Sequence, residues 1–229
     1  MDEADLAGPA SVRVAEPRAS ELFGARAELA ERFAQSLADH GPRLGLIGPR
    51  ELDRLWGRHV VNCALVSELI PQDVRVADIG SGAGLPGLVL AVRRPDVQFT
   101  LIESMARRVT WLTESVAELG LSNVEVVRAR AEDLAGRVVV DIVTARAVAP
   151  LTRLLGWSWP LCREGGQILA MKGAAAEHEV EEAGPWLRRV GAATPRVIHL
   201  GPPGADWSAR VVTVDKPAAM VAPGRRTRR

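Results

Sequence analysis

The sequence predicts an α/β protein: a doubly wound, mostly parallel sheet with an antiparallel closing hairpin, preceded by a helical extension. Three observations carry the prediction. From residue 71 to about 190, short β-rich runs alternate with helical periodicity, the pattern of a parallel sheet with crossover helices on both faces. The first run enters a glycine-rich turn, Gly80-Ser-Gly-Ala-Gly84, and leaves as a helix, the context that gives such a turn ligand-binding meaning. The last two runs, 196–200 and 210–214, are joined by a Gly/Pro loop with no helix between them, which makes them a hairpin.

Residues 1–18 are small, polar and Pro-containing and are expected to be a disordered leader. Leu22, Arg26, Leu29, Phe33 and Leu37 then recur at helical spacing, with Ser20 as the expected N-cap and Gly41-Pro42 as the terminator. After a Gly/Pro-punctuated stretch, a second helix is expected over 50–69, with Leu52, Leu55, Trp56, Val60, Cys63 and Val66 as its apolar stripe. Residues 19–70 thus form the helical extension.

The main domain, 71–216, reads as strand 75–79, glycine loop, helix 85–93, strand 97–102 and helix 106–119. Strands 124–128 and 138–145, helix 150–161, strand 166–171 and helix 176–190 follow before the hairpin. The tail, 217–229, ends in the basic run Arg225–Arg229 and is expected to be disordered.

Composition excludes several classes. Hydrophobic residues are 47% and charged residues 25%, so the chain is globular. Twenty-nine Lys and Arg balance 28 Asp and Glu, which excludes a polybasic wrapping protein but allows a local basic face. Tyr is absent and Phe numbers three, too few for an aromatic RNA-stacking platform. Cys63 and Cys162 form neither a disulfide framework nor a zinc site, and no metal site is expected. The first residues, MDEADL, lack the positive-then-apolar order of a signal peptide, and the longest uncharged run, 79–92, is short of the ~20 residues of a spanning helix. A cytoplasmic protein without membrane contact is expected.

The chemistry centres on Asp78 and the glycines after it. Gly80, Gly82 and Gly84 form G-x-G-x-G; Gly82, Gly84 and Gly87 form the G-x-G-x-x-G of NAD binders. Glycine lets the backbone turn sharply and approach a ligand. Glu103 ends the second strand 19 positions beyond Gly84, where a carboxylate accepts ribose hydroxyls. Both features fit NAD and S-adenosyl-L-methionine alike. Two more favour the methyl donor: Asp78, positioned for its amino-acid end, and Ala131-Glu132-Asp133 after the third strand, where an adenine would lie. Leu88 and Val89 replace the Lys and Ser/Thr of a P-loop. No Asn-Pro-Pro or Asp-Pro-Pro element, which orients exocyclic amines, follows the fourth strand. Cys63 and Cys162 read as buried small hydrophobes, and His59 as a packing or interface histidine.

Asp78-Ile-Gly-Ser-Gly-Ala-Gly-Leu-Pro-Gly87, Leu101-Ile-Glu-Ser104 with Arg107-Arg108, Arg130-Ala-Glu-Asp-Leu134, Thr144-Ala-Arg-Ala147 and Met171-Lys-Gly173 stand in order. This set closely resembles the small-subunit ribosomal RNA guanine-N7 methyltransferases, also called the glucose-inhibited division protein B family. Leu44-Gly-Leu-Ile47 and Arg58-His-Val-Val-Asn-Cys63 extend the resemblance into the helical extension, departing at Asn62-Cys63, where the family often has Asp-Ser. The resemblance implies a Rossmann-like methyltransferase fold. It also implies methyl transfer from S-adenosyl-L-methionine to N7 of a guanine in 16S ribosomal RNA, naked or in assembled particles, by a monomer. It places Gly80, Leu85, Ala131, Glu132 and Arg146 around the donor and Glu103 on its ribose.

Guanine N7 carries an in-plane lone pair and no proton, so positioning carries the catalysis. Arg146, which suits guanine O6 or a phosphate, and Lys172, one of only two lysines, are the candidate catalytic residues at the strands' carboxyl ends. Two rivals remain open: an NAD(P)-binding oxidoreductase, which lacks its catalytic Tyr here, and a non-catalytic RNA-binding module.

Overall fold

The computed structural model describes residues 15–218. Most of the expected leader, and the tail from residue 219, lie outside the described residues. Seven strands form one sheet: β1 Arg75–Ile79, β2 Gln98–Glu103, β3 Val124–Arg128, β4 Val140–Arg146, β5 Cys162–Lys172, β6 Arg196–Leu200 and β7 Ala209–Asp215. Their order is β3-β2-β1-β4-β5-β7-β6. The first five pair in parallel, and β7 runs antiparallel to both β5 and β6. The chain order reverses between β1 and β4, the switch point where open α/β sheets bind ligands.

Strand residues alternate between two cores. Val76, Leu101, Ile142, Leu169 and Val211 enter one, and Ala77, Ile102, Val143, Ala170 and Val212 enter the other. Both faces are covered, which is why the central strands read as nearly unbroken apolar runs. The helices are α1 Ala19–Phe23, α2 Ala27–Leu44, α3 Asn62–Leu65, α4 Gly87–Arg93, α5 Ala106–Leu119, α6 Leu151–Ser158 and α7 Ala176–Arg189. The extension packs with α4 and α5 into the first core; α6 and α7 fill the second. Arg94 ties the junction together, donating to the carbonyls of Ser67, Ile70 and Pro71 and pairing with Asp96. Among the described residues no helix is long and apolar enough to cross a membrane.

Several boundaries differ from expectation, each for a local reason. The first helix starts at Ala19 and not after a Ser20 cap: the Arg18 amide donates to the Glu21 carboxylate at 2.9 Å, which closes the first turn. A 3-10 turn, Gly24–Arg26, then separates α1 from α2. Helix α2 continues through Pro42, because Gly41 before it has no Cβ to clash with the ring. It ends at Gly45 (φ 65), where Gly45 and Leu46 amides donate to the Pro42 and Gly41 carbonyls.

The second expected helix changes pitch along its length. Pro49–Arg54 is 3-10, Leu55–Val61 is a π-helix, α3 follows, and Val66–Leu69 is 3-10 again. Helix α4 starts at Gly87, two residues late. β5 starts at Cys162, four residues early, because Gly165 (φ 70) and the bulge between Val140 and Ile142 hide its period.

Candidate active site

The β1–α4 turn is built by glycine where nothing else fits. Gly80 has φ 66, and a Cβ on it would stand 2.8 Å from Val148 Cγ2. The Gly80 and Ser81 amides donate to the Ile102 carbonyl, so the turn is fastened to the end of β2. Trp111 of α5 donates its indole N–H to the Ala83 carbonyl at 3.1 Å.

Asp78 lies fully buried under this turn. Its Oδ2 accepts the Gly87 amide at 3.0 Å, while Oδ1 is buried without a partner among the described residues. Burial pushes its carboxyl up to about 7, against the pull of Ser81 and the Gly87 amide.

Glu103 is also buried, at the end of β2. Its Oε2 accepts the Gly82 amide at 3.1 Å and its Oε1 the Met105 amide at 2.8 Å. The Ser104 hydroxyl also reaches Oε1, at 3.5 Å, and the Arg108 guanidinium stands 3.8 Å from Oε2. Of a carboxylate's roughly four acceptor positions one is open, and the long Ser104 contact is the one a ligand hydroxyl would replace. Glu103 lines a cavity of about 240 Å³ together with Gly80, Ile102, Ala131, Glu132 and Trp157. Four expected donor-site residues thus meet in one cavity. Gly82, Gly84 and Leu85 in the turn, and Asp78 of β1 beneath it, stand beside this cavity and do not line it.

A larger cavity of about 990 Å³ lies at the ends of β4, β5 and β7, and Arg54, Arg58 and Asn62 form its wall from the extension. Arg146 and Lys172 both line it. Val148 lines both cavities, so one loop, β4–α6, separates them. In that loop Ala147 holds φ 55, a conformation that costs a non-glycine residue of order 1 kcal/mol or more.

Arg146 is turned toward the extension. It donates to His59 Nδ1 at 2.8 Å, to Cys63 Sγ at 3.1 Å, and to the carbonyls of Arg58 and His59. A side chain bonded into a helix's carbonyl ladder is a recognised cause of irregular pitch, and these carbonyls belong to the π-helical turn. Because Arg146 donates to Nδ1, the His59 proton sits on Nε2 and is donated to Glu51 at 2.8 Å. Burial, with the neighbouring Arg146 charge, holds the His59 pKa below its ordinary value.

The sequence reads Cys63 as a buried small hydrophobe and His59 as a packing or interface histidine. Cys63 is fully buried in the first core, as that reading has it, and both side chains are in addition bonded to Arg146. Glu51, eight residues before His59, was missed; no spacing rule links a carboxylate to an arginine almost a hundred residues away. Among the described residues no group of three or more His, Cys, Asp or Glu side chains is placed to hold a metal.

The geometry has counterparts in known proteins. A methyltransferase structure from Methanococcus maripaludis, titled as a putative S-adenosyl-L-methionine-dependent enzyme, superimposes with TM-score 0.58 at 13% identity. It covers 82% of this chain and 94% of its own, a likeness of fold. A protein of Nocardioides named ribosomal RNA small subunit methyltransferase G is 58% identical over 176 residues, 77% of this chain and 70% of its own. Its namesake from Thermobifida fusca is 52% identical over 202 residues, 88% of this chain and 85% of its own. The sequence profile described as rRNA small subunit methyltransferase G matches residues 26–191. With the Rossmann-like sheet, the glycine turn and the Glu103 cavity in place, the chain belongs to the rRNA small subunit methyltransferase G family.

Proposed function

We propose that this protein transfers a methyl group from S-adenosyl-L-methionine to N7 of a guanine in small-subunit ribosomal RNA. The observation that carries the reading is the pair of cavities sharing Val148: one ends on a buried carboxylate, and in the other Arg54, Arg58, Arg146, Lys172 and Arg210 outnumber Glu179, Glu182 and Asp206. A nucleoside donor and a polyanionic acceptor suit these two walls.

The residues fit the donor. The unpartnered Asp78 Oδ1 is the kind of buried atom that a ligand's ammonium group would satisfy. Glu103 retains acceptor capacity for a ribose diol, and Ile102, Val148 and Trp157 offer apolar walls to an adenine. Gly80, Gly82, Gly84 and Leu85 form the turn against its amino-acid part, with Ala131 and Glu132 at the base. When bound, the donor supplies an electrophilic methyl group on a sulfonium. The chain's own task is to position the guanine, since N7 has no proton to remove.

In this reading residues 71–216 are the catalytic domain and 19–70 an extension that walls the acceptor cavity; 1–18 and 217–229 are its leader and basic tail. The formal charge of +1 suits a structured target, RNA within an assembled particle, more than indiscriminate backbone binding. A cytoplasmic monomer completes the proposal.

The test is transfer of labelled methyl groups to small subunits from a strain lacking the gene. Label should enter RNA with wild-type enzyme. Glu103→Ala should weaken donor binding, measured by calorimetry, by about 1–3 kcal/mol, the scale for hydrogen bonds to a charged group. Labelled protein with unlabelled RNA would defeat the reading, and unchanged donor affinity in Glu103→Ala would remove the ribose assignment.

A further inference from the structure

The acceptor cavity contains a half-buried ion pair, of which the reading above uses only the Lys172 charge. Lys172, at the end of β5, stands 2.6 Å from Glu179 of α7, with side-chain exposures of only 8% and 19%. Lys172 Nζ donates to the Ala149 carbonyl at 2.7 Å and to Glu179 Oε2. An ammonium has three N–H donors, so one is left over. Glu179 Oε2 also accepts the Leu151 amide at 2.6 Å, which caps α6, while no bond among the described residues occupies Oε1. Both side chains line the cavity whose wall at Val148 is shared with the donor site.

A pair held in this way offers a ligand one donor beside one acceptor. Guanine presents the complementary order along its edge, the O6 acceptor next to the N1–H donor. Adenine presents the reverse, an N6 donor next to the N1 acceptor. A base held by O6 and N1–H keeps its neighbouring N7 free. We propose that the Lys172–Glu179 pair reads O6 and N1–H of the acceptor guanine and so sets the base specificity of this site. The inference rests on the guanine-N7 reading. Glu179 and Lys172 also brace the ends of α6 and the β4–α6 loop, so loss of activity alone would not separate recognition from scaffolding.

A substrate-and-enzyme cycle separates them. Small subunits are reconstituted with either guanine or 1-methylguanine at the modified position, the RNA being joined by splinted ligation. Both bases keep O6 and N7, and only guanine has N1–H. Glu179→Gln keeps a carbonyl oxygen for Leu151 and places an amide where Oε1 stood. It should lower kcat/KM on guanine roughly tenfold to a hundredfold, the scale of a lost bidentate base contact. On 1-methylguanine, which wild type should already disfavour, the substitution should cost much less. Glu179→Asp, which keeps the charge but shortens the reach, replaces it in the cycle if the Gln variant melts early. Equal losses on both bases, or no loss on guanine, would overturn the proposal. Wild type that methylates neither base, or an atom other than N7, would instead overturn the function on which it rests.

Discussion

Arg146→Ala is expected to cut kcat/KM for RNA methylation by about two orders of magnitude, the scale on which small misplacements of reacting groups act. The guanidinium joins the β4 end to the π-helical turn through His59 Nδ1 and two carbonyls, and to α3 through Cys63 Sγ. That turn contributes Arg58 to the acceptor cavity, and neighbouring Arg54 and Asn62 complete the same wall. Without Arg146, His59 keeps a half-buried acceptor nitrogen with no protein donor and the wall loses its anchor. The fold should lose only about 1–3 kcal/mol, the cost of leaving buried polar groups unpaired, because both hydrophobic cores are untouched. Parallel melting curves and steady-state kinetics on small subunits check this. A variant that unfolds, yet keeps full specific activity in its folded fraction, would contradict it.

Asp78→Asn should produce the second large effect, and it depends on pH. In the ligand-free protein the carboxyl sits at about 7 against an ordinary 3.8, chiefly because it is buried. The folded value is the higher one, so its contribution to stability is full below the unfolded value and is lost as pH rises through about 7. Between those limits the ligand-free wild type should lose of order 4 kcal/mol relative to Asp78→Asn.

A donor ammonium beside Oδ1 reverses this preference by favouring the ionised carboxylate. Donor affinity in wild type should therefore strengthen between pH 5 and 7, by at most about tenfold per pH unit. Asp78→Asn should bind more weakly and with a flat profile. Calorimetric titrations across this range decide it; parallel profiles for the two proteins would remove Asp78 from the donor site.

Most of the sheet was legible because its signals are local. β1, β3, β6 and α5 match the expected bounds, since each is a β-branched or amphipathic run closed by a turn residue. The irregular pitch of the second helix was not legible, because its apolar stripe fits several pitches and the bonds from Arg146 arrive from a strand far along the chain. That Gly80, Glu103, Ala131 and Glu132 line one cavity was legible because a βα turn and the following strand ends have fixed relative places in a doubly wound sheet. The Glu51–His59–Arg146 chain and the Lys172–Glu179 pair depend on side chains from different layers meeting, and no periodicity encodes that.

The central claim is that guanine N7 in small-subunit RNA is the acceptor, and strand cleavage tests it most directly. N7 methylation leaves a fixed positive charge on the imidazole ring, so borohydride followed by aniline breaks the RNA there. RNA from subunits incubated with enzyme and S-adenosyl-L-methionine should be cut at one guanosine, and RNA from either omission control should stay intact. Methyl-labelled RNA that resists cleavage would contradict the account, because methylation of an exocyclic amine or a ribose hydroxyl leaves no such charge.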